Sequence, residues 1–482
     1  MISGFSILIP SSQMITRRAL LAAWPAIHIK AAPAKRNILF VAVDDLNDWI
    51  GCLGGPALTP NFDRLARQGV LFTNAHCAAP LCNPSRAAIM TGLRPSTSGV
   101  YENNQPYHTA PLLEGVTTLN HHFRNNGYWT ATRGKIYHGT IGSFADMKNW
   151  DDIAHLPGDY TLGRSKPLAG PAGQGNFDFG PTQTGDEEMN DFRVVSWATE
   201  QLAKKHQQPL FLATGIYRPH LPWYVPAKYF DLYPLDKIQL PIVKEDDLDD
   251  VPEIGKKIAR ANNDHARITN AEAWKKAVQA YLACISFADA MLGRLLRSLE
   301  TGPYANDMDV ILWSDHGWHL GEKLHWRKFT LWERATRNVL MAKFHGVTKP
   351  GGSCSRPVNL LDIYPTLVDL CGLPSPGGPN GQGLDGQSLR PWLANPKAPK
   401  REPTLTTFGR NNHAIRSEDW RYIRYRDGSE ELYDRRKDPN EWTNLAANPQ
   451  YTTKKAELAQ WLPKVNAPDA PAGKGGDTLE NK

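Results

Sequence analysis

The sequence predicts an α/β fold built around a largely parallel sheet, with a small antiparallel segment near the C-terminus. Three observations carry this. Asn37 to Val43 is a continuous apolar, β-branched run ending in Asp44 and Asp45, the signature of a strand buried on both faces. Further short runs of this kind alternate with helical patterns, as crossover connections between parallel strands require. Late in the chain, short strands follow one another with a hairpin signal, Asp427-Gly428, between the last two.

In chain order, Thr59-Pro60 makes a cap and first-turn pair for a helix that carries Phe62 and Leu65 and stops at Gly69. A second helix is expected from Pro84 towards Met90, ending at Gly92. Strands are expected at Tyr128 to Thr132, Leu210 to Thr214, Val310 to Trp313 and Val339 to Phe344, and a long helix from Ala273 to Leu299. Thr161 to Asp186 is rich in Gly, Pro and polar residues and reads as a long surface loop bordering a substrate site. After a Pro- and Lys-rich stretch, Pro396 to Pro403, strands are expected at Ala414 to Arg416, Arg421 to Arg426 and Glu431 to Asp434. These readings divide the chain into a leader, 1–34, an α/β body, 35–398, a small-sheet part, 399–466, and a disordered tail, 467–482.

The composition is that of a folded globular protein, with 41% hydrophobic and 22% charged residues among 482. A net charge of +6, scattered over the chain, argues against nucleic acid; it tolerates an anionic substrate without selecting one. No stretch reaches the ~20 apolar residues of a membrane span. Arg17-Arg18, the apolar run Ala19 to Ile27 and the small-residue sequence Ala32 to Ala34 resemble a twin-arginine export signal, so a periplasmic or secreted protein is expected. Five of the six cysteines, Cys52, Cys77, Cys284, Cys354 and Cys371, read as small packing residues.

The sixth, Cys82, opens the string Cys82-Asn83-Pro84-Ser85-Arg86, followed by Thr91-Gly92. Taken alone, it is as readily a capped helix with a buried cysteine. Its context sharpens it. Asp44 and Asp45 end one expected strand, and Asp315 and His316 follow another. Parallel strands bring such ends to one crevice. Carboxylates packed so closely repel unless a cation neutralises them. Oxygen-rich ligation favours Ca²⁺ or Mg²⁺, with His316 an unusual partner for a hard ion.

The Cys-x-Pro-x-Arg string resembles the signature of type I sulfatases, in which a separate formylglycine-generating enzyme oxidises the cysteine to formylglycine. The hydrated aldehyde suits the chemistry: one geminal hydroxyl attacks sulfur and the other later expels sulfate. Two further strings are similar to the same family, Gly134-Lys135-Ile136-Tyr137-His138-Gly139 and Arg218-Pro219-His220-Leu221-Pro222. The resemblance implies an alkaline-phosphatase-like sandwich and a Ca²⁺ held by Asp44, Asp45, Asp315, His316 and residue 82. It implies that Lys135 and His138 hold and deprotonate the diol and that Arg86 supports it. By the same resemblance His220 meets the ester oxygen and Lys328 grips sulfate. It extends from Asn37 to about Leu445 and is nearest the iduronate sulfatase branch, which shares Ser314-Asp315-His316-Gly317-Trp318, with His316 where many arylsulfatases have asparagine. The implied substrate is a sulfated carbohydrate, such as a glycosaminoglycan or algal polysaccharide fragment, with the Trp- and His-rich string Trp318 to Trp326 lining a sugar subsite. A phosphodiester or phosphonate monoester hydrolase, and a catalytically silent glycan-binding protein, are the alternatives.

Overall fold

Along Asn37–Val43 the side chains of Leu39, Val41 and Val43 enter one hydrophobic core, and those of Ile38, Phe40 and Ala42 a second. A strand that buries both faces must lie inside a sheet covered on both sides, and it does. In the computed structural model, which describes residues 1, 4, 35–139, 149–154, 167–377, 383–399 and 401–473, this strand pairs in parallel with Leu210–Ile216 and with Met308–Ser314. The expected export leader lies almost wholly outside the described residues, as do 161–166 of the expected loop and 474–482 of the tail. The chain falls into two units, Met1–Lys35 and Arg36–Lys482, and the fold described here is that of the second.

Among the described residues the main sheet runs Gly352–Cys354, Val70–His76, Arg337–Lys343, Met308–Ser314, Asn37–Val43, Leu210–Ile216, Trp129–Gly134, Asp152–Ile153. Arg337–Lys343 runs antiparallel to both neighbours, so the sheet is mixed, though mostly parallel. The long helix Trp274–Thr301, with Asn190–Leu202 and Pro60–Gln68, covers one face; Cys82–Thr91, Leu119–Asn125 and Ile363–Cys371 cover the other. Gly92 closes the helix Cys82–Thr91 in the left-handed region, φ 73°, where its missing Cβ removes the penalty.

Two expectations need correction. The loop expected from Thr161 to Asp186 contains a strand, Phe179–Thr182, parallel to Trp223–Pro226. Asp178 anchors it by accepting hydrogen bonds from the backbone amides of Leu168 and Ala169, both at 2.8 Å. The tail is not disordered over its first residues. The amides of Ala467 and Ala470 bond the carbonyls of Ser96 and Gly99, each at 2.8 Å, and Gln105 donates to Ala470 O at 2.9 Å. Small residues without side-chain entropy to lose let this segment lie against the body.

Near the C-terminus, Thr404–Thr407, His413–Arg416, Trp420–Arg424 and Glu430–Asp434 form a four-stranded antiparallel sheet in chain order. The Asp427-Gly428 turn joins the last two, with Gly428 at φ 86°. No helix among the described residues is long and apolar enough to cross a membrane. All six cysteines are free.

Candidate active site and metal centre

The C-terminal ends of the two central strands deliver the acids. Asp44 follows Val43, and its amide bonds Ile216 O at 3.0 Å, which continues the ladder one residue beyond the strand. Asp45 then turns into the left-handed region at φ 56°, and its amide donates to Asp315 Oδ1 at 3.1 Å. Asp315 and His316 leave the end of the adjacent strand. Opposite them, Cys82 is the first residue of its helix, so its side chain sits in the positive field of the helix N-terminus. One ligand atom from each of Asp44, Asp45, Cys82, Asp315 and His316 lies within 4.8 Å of all the others, and all five residues are buried.

Cations interleave with these acids. Arg86, one turn along the helix from Cys82, is fully buried; its Nε donates to Asp315 Oδ2 at 2.9 Å and its Nη2 to Asp44 Oδ1 at 3.0 Å. Its remaining donors meet the carbonyls of Lys135 and Ile136. Lys135 Nζ is paired with Asp44 Oδ2 and lies 3.6 Å from Cys82 Sγ. Lys328 Nζ is 2.7 Å from Asp45 Oδ1 and 2.9 Å from Cys82 Sγ. His138 hydrogen-bonds the Cys82 side chain. His220 donates from Nδ1 to Leu221 O at 2.6 Å, which turns Nε2 towards Asp45 Oδ2, 3.8 Å away. Every candidate catalytic residue and metal ligand read from the sequence therefore lies in this cluster.

Burial opposes ionisation here, and the lysines overcome it. Burial raises the Asp44 carboxyl, yet Lys135 and Arg86 hold it well below the ordinary carboxylate range. Burial also raises the Cys82 thiol, and Lys135, Lys328 and His316 outweigh it, holding its pKa well below normal. At Asp315 burial wins over Arg86, and the carboxyl is pushed up to about 6.

Two observations fit a cation. Asp45 Oδ2 is buried and accepts no hydrogen bond. Nδ1 of His316 faces Gly317 O at 3.0 Å, and because a carbonyl only accepts, Nδ1 carries the proton. Nε2 of His316 then points at Cys82 Sγ, 3.4 Å away, and Asp45 Oδ1, 3.3 Å away; against burial, Asp315 raises the pKa of this ring, and a bound cation would take the place of its Nε2 proton. An imidazole nitrogen, a carboxylate and a carboxylate oxygen that accepts no hydrogen bond, in one buried space, suit a positive ion between them.

Beyond Asp45, His220 and Lys328 a cavity of about 290 Å³ opens, walled by Gln174, Asn176, Asn262, Asp264 and Arg327. Sequence reading missed Asn262, Asp264 and Arg327, whereas Gln174 and Asn176 belong to the stretch expected to border a substrate site. The string Trp318 to Trp326 was expected to line a sugar subsite, but Trp318 and Trp326 are each only 1% exposed. Trp318 reaches the cavity edge, and both rings pack with Trp223 in the core, 6.0 and 6.5 Å between centroids. The signal for Gln174 and Asn176 was the Gly- and Pro-rich composition of the stretch Thr161 to Asp186.

Comparison with known proteins agrees with this geometry. A profile of the family described as Sulfatase matches residues 36–373, and one described as N-sulphoglucosamine sulphohydrolase, C-terminal, matches 321–467. The chain is 42% identical over 462 residues to a protein of Formosa agariphila named Sulfatase, covering 90% of this chain and 87% of that one. It is 29% identical over 384 residues to human iduronate 2-sulfatase, covering 70% of each. The crystal structure of a phosphonate monoester hydrolase of Agrobacterium radiobacter superposes with a TM-score of 0.75 at 22% identity, covering 88% of this chain and 94% of that chain, a likeness of fold. With a family match over most of its length and the acids, cations and cysteine of its central strands gathered in one crevice, the chain belongs to the sulfatase family and is a sulfate ester hydrolase with iduronate 2-sulfatase-like relatives.

Proposed function

We propose that this enzyme hydrolyses O-sulfate esters of a glycan, using a formylglycine made from Cys82 by a formylglycine-generating enzyme. The observation that carries the reading is the position of Cys82 Sγ at a helix N-terminus, within 2.9 Å of Lys328 Nζ and 3.4 Å of His316 Nε2. Sγ stands in for an oxygen of the mature residue, whose hydrate supplies one hydroxyl to attack sulfur and a second to release sulfate. A divalent cation, read here as Ca²⁺, would be held by Asp44, Asp45, Asp315, His316 and residue 82, and supplies positive charge where negative charge develops.

The chain's own groups divide the remaining work. Arg86 touches no substrate; it holds Asp44 and Asp315 apart and in place. Lys135, a cation paired with Asp44, holds the side chain of residue 82, and His138, whose pKa burial lowers, takes its proton. Lys328 meets the sulfate oxygens as they reach residue 82, a preorganised cation where charge accumulates. His220, with Nδ1 tied to Leu221 O, presents Nε2, and as the imidazolium it gives the Nε2 proton to the leaving sugar oxygen and is left neutral.

A sugar substrate is supported by the polar cavity wall of amides, a carboxylate and a guanidinium, and by the relative named iduronate 2-sulfatase. The same reading takes 1–34 as an export leader, placing the enzyme in the periplasm or outside the cell, and separates a catalytic part, 35–398, from a C-terminal part, 399–466. Sulfate release measured over defined sulfated oligosaccharides, beside nitrophenyl sulfate and matched phosphate esters, tests the function. Activity confined to aryl sulfates or to phosphorus esters would overturn it.

A further inference from the structure

Lys328 and Arg327 are consecutive, and consecutive side chains of an extended strand point to opposite faces. Both nevertheless line the same cavity. The backbone explains how. Arg327 lies at φ 76° and Phe329 at φ 73°, left-handed conformations that cost a non-glycine residue about 1–3 kcal/mol each. This unfavourable geometry turns two successive cations into one space, Lys328 beside Cys82 and Arg327 on the wall beyond it.

Asp264 holds Arg327 there. It accepts from Arg327 Nε at 2.6 Å and more weakly from Nη2 at 3.4 Å, and it also pairs with Arg267. Both guanidinium groups lie 5.0 Å from the Phe177 ring, which fixes their planes. Arg267 directs its other terminal nitrogen to Ala172 O. One carboxylate thus serves two guanidinium groups, leaving one positive charge unbalanced within the trio. Among the described residues Arg327 Nη1 makes no hydrogen bond, and the side chain is 19% exposed. A planar donor held at one edge and open at the other is suited to an oxyanion.

We infer that Arg327, positioned by Asp264, is a specificity residue that binds a second oxyanion on the sugar, a carboxylate or a further sulfate, near the sulfate being cleaved. The inference rests on the reading of the substrate as a sulfated sugar. Because Arg327 and Lys328 spring from adjacent Cα atoms about 3.8 Å apart, they address neighbouring substituents of one sugar ring. Gln174, Asn176 and Asn262 remain for its hydroxyls.

The test uses the mature, metal-loaded enzyme and three matched methyl glycosides: a sulfated hexuronate, its neutral hexose counterpart with the same sulfate, and that hexose with a second sulfate. The wild type is expected to favour one of the two dianionic sugars over the neutral one by at least about thirty-fold in kcat/KM, and which one identifies the oxyanion. Arg327→Gln should lower that ratio at least about ten-fold, chiefly through KM, a change that loss of folded protein does not produce. Competition gives an independent reading on the wild type alone, since the desulfated dianion-derived product should inhibit more strongly than the neutral sugar. Equal kcat/KM for anionic and neutral sugars, or a ratio unmoved in Arg327→Gln, would overturn this inference while leaving the proposed function standing. No turnover of any sulfated sugar would overturn both.

Discussion

Among the described residues, the buried charges at the ends of the central strands and those under the C-terminal sheet differ in how completely their carboxylates are satisfied. Where the C-terminal sheet meets the segment 321–336, Glu333 accepts from Arg416 at 3.0 Å, pairs with Arg421 and lies 3.5 Å from Arg435. Glu441 accepts from Arg421 at 2.6 Å and from the amide of Glu333 at 2.8 Å, and Lys323 bridges Asp247 and the Glu441 carbonyl. Burial disfavours an ionised Glu333, but the three arginines hold its pKa well below normal. Among the described residues no carboxylate oxygen of Glu333 or Glu441 is buried without a hydrogen bond. At the ends of the central strands, by contrast, Asp45 Oδ2 has none, and His316 Nε2 faces two carboxylates. Density of buried charge therefore does not by itself mark a reactive site. Several acids gathered round a cysteine and a carboxylate oxygen that accepts no hydrogen bond set this one apart.

The largest effect expected from this contrast is at Cys82. Cys82→Ser keeps the shape of the side chain and its contacts, so the thermal midpoint should stay within a few degrees. Catalysis should fall by at least about three orders of magnitude, roughly 4 kcal/mol of barrier, because a serine lacks the second hydroxyl that releases sulfate. Steady-state sulfate release on purified protein, with a melting curve beside it, measures both. A variant cycling at the wild-type rate would show the cysteine to be a packing residue.

How much of this was legible in the sequence follows from which links are local. Cys82 to Arg86 lie within one helical turn, and Asp44, Asp45, Asp315 and His316 each follow an apolar strand that announces its own end. The strand Val70–His76 was not seen, because Thr73, Asn74 and His76 break its apolar pattern; they are satisfied by Cys354 O, Ser355 O and Thr336, all far off in sequence, and by each other. Nor was the reversal of Arg337–Lys343 legible, since a strand's direction is set by its connection, here the 315–336 segment without a long crossover helix. Asp264 and Arg327 are ordinary charged residues in sequence, 63 apart, and only folding makes them a pair.

The second effect in size breaks the self-satisfied cluster. Glu333→Gln preserves volume but leaves Arg416, Arg421 and Arg435 facing an uncharged amide, which should destabilise the protein by about 3–5 kcal/mol. Urea unfolding at an unchanged slope reports it. Turnover per folded molecule should stay within a few-fold of wild type. A thousand-fold loss of turnover at unchanged stability would make this cluster part of the chemistry and dissolve the comparison.

Removing the cation acts on the other cluster. Exhaustive chelation should abolish activity and also lower the melting temperature, since an ion held at a hundred times its dissociation constant stabilises by about 2.7 kcal/mol. Adding back Ca²⁺ should restore both, and Mg²⁺ should restore them less well. Asp315→Ala should behave as the chelated enzyme does and be insensitive to further chelation. Full activity in the chelated wild type would remove the ion from the reading.

The smallest effect concerns Asp289, a buried carboxylate that has donors but no cation. It sits on Trp274–Thr301 and caps the helix Pro60–Gln68 by accepting from the amides of Asn61 and Phe62, both at 2.9 Å, and from Asn61 Nδ2 at 2.7 Å. Those bonds favour the charged form, yet burial dominates and pushes the carboxyl up to about 6. The folded protein thus binds this proton more tightly than the unfolded chain, whose aspartate titrates near 3.9. The Asp289 contribution is fully present below about pH 4 and is lost as the pH rises through about 6. The size of that loss is about 2–3 kcal/mol at most. Asp289→Asn keeps an acceptor for the two amides and no longer titrates. Its stability relative to wild type should therefore improve steadily from about pH 4 to about pH 7, by about 1–2 kcal/mol after allowing for the altered bond to Asn61. Taking the difference between variant and wild type cancels every other titrating group, including those around the cation. A difference that stays flat across this range would mean that hydrogen bonds alone stabilise a buried charge here as well as cations do, and the contrast between the two clusters would lose its physical basis.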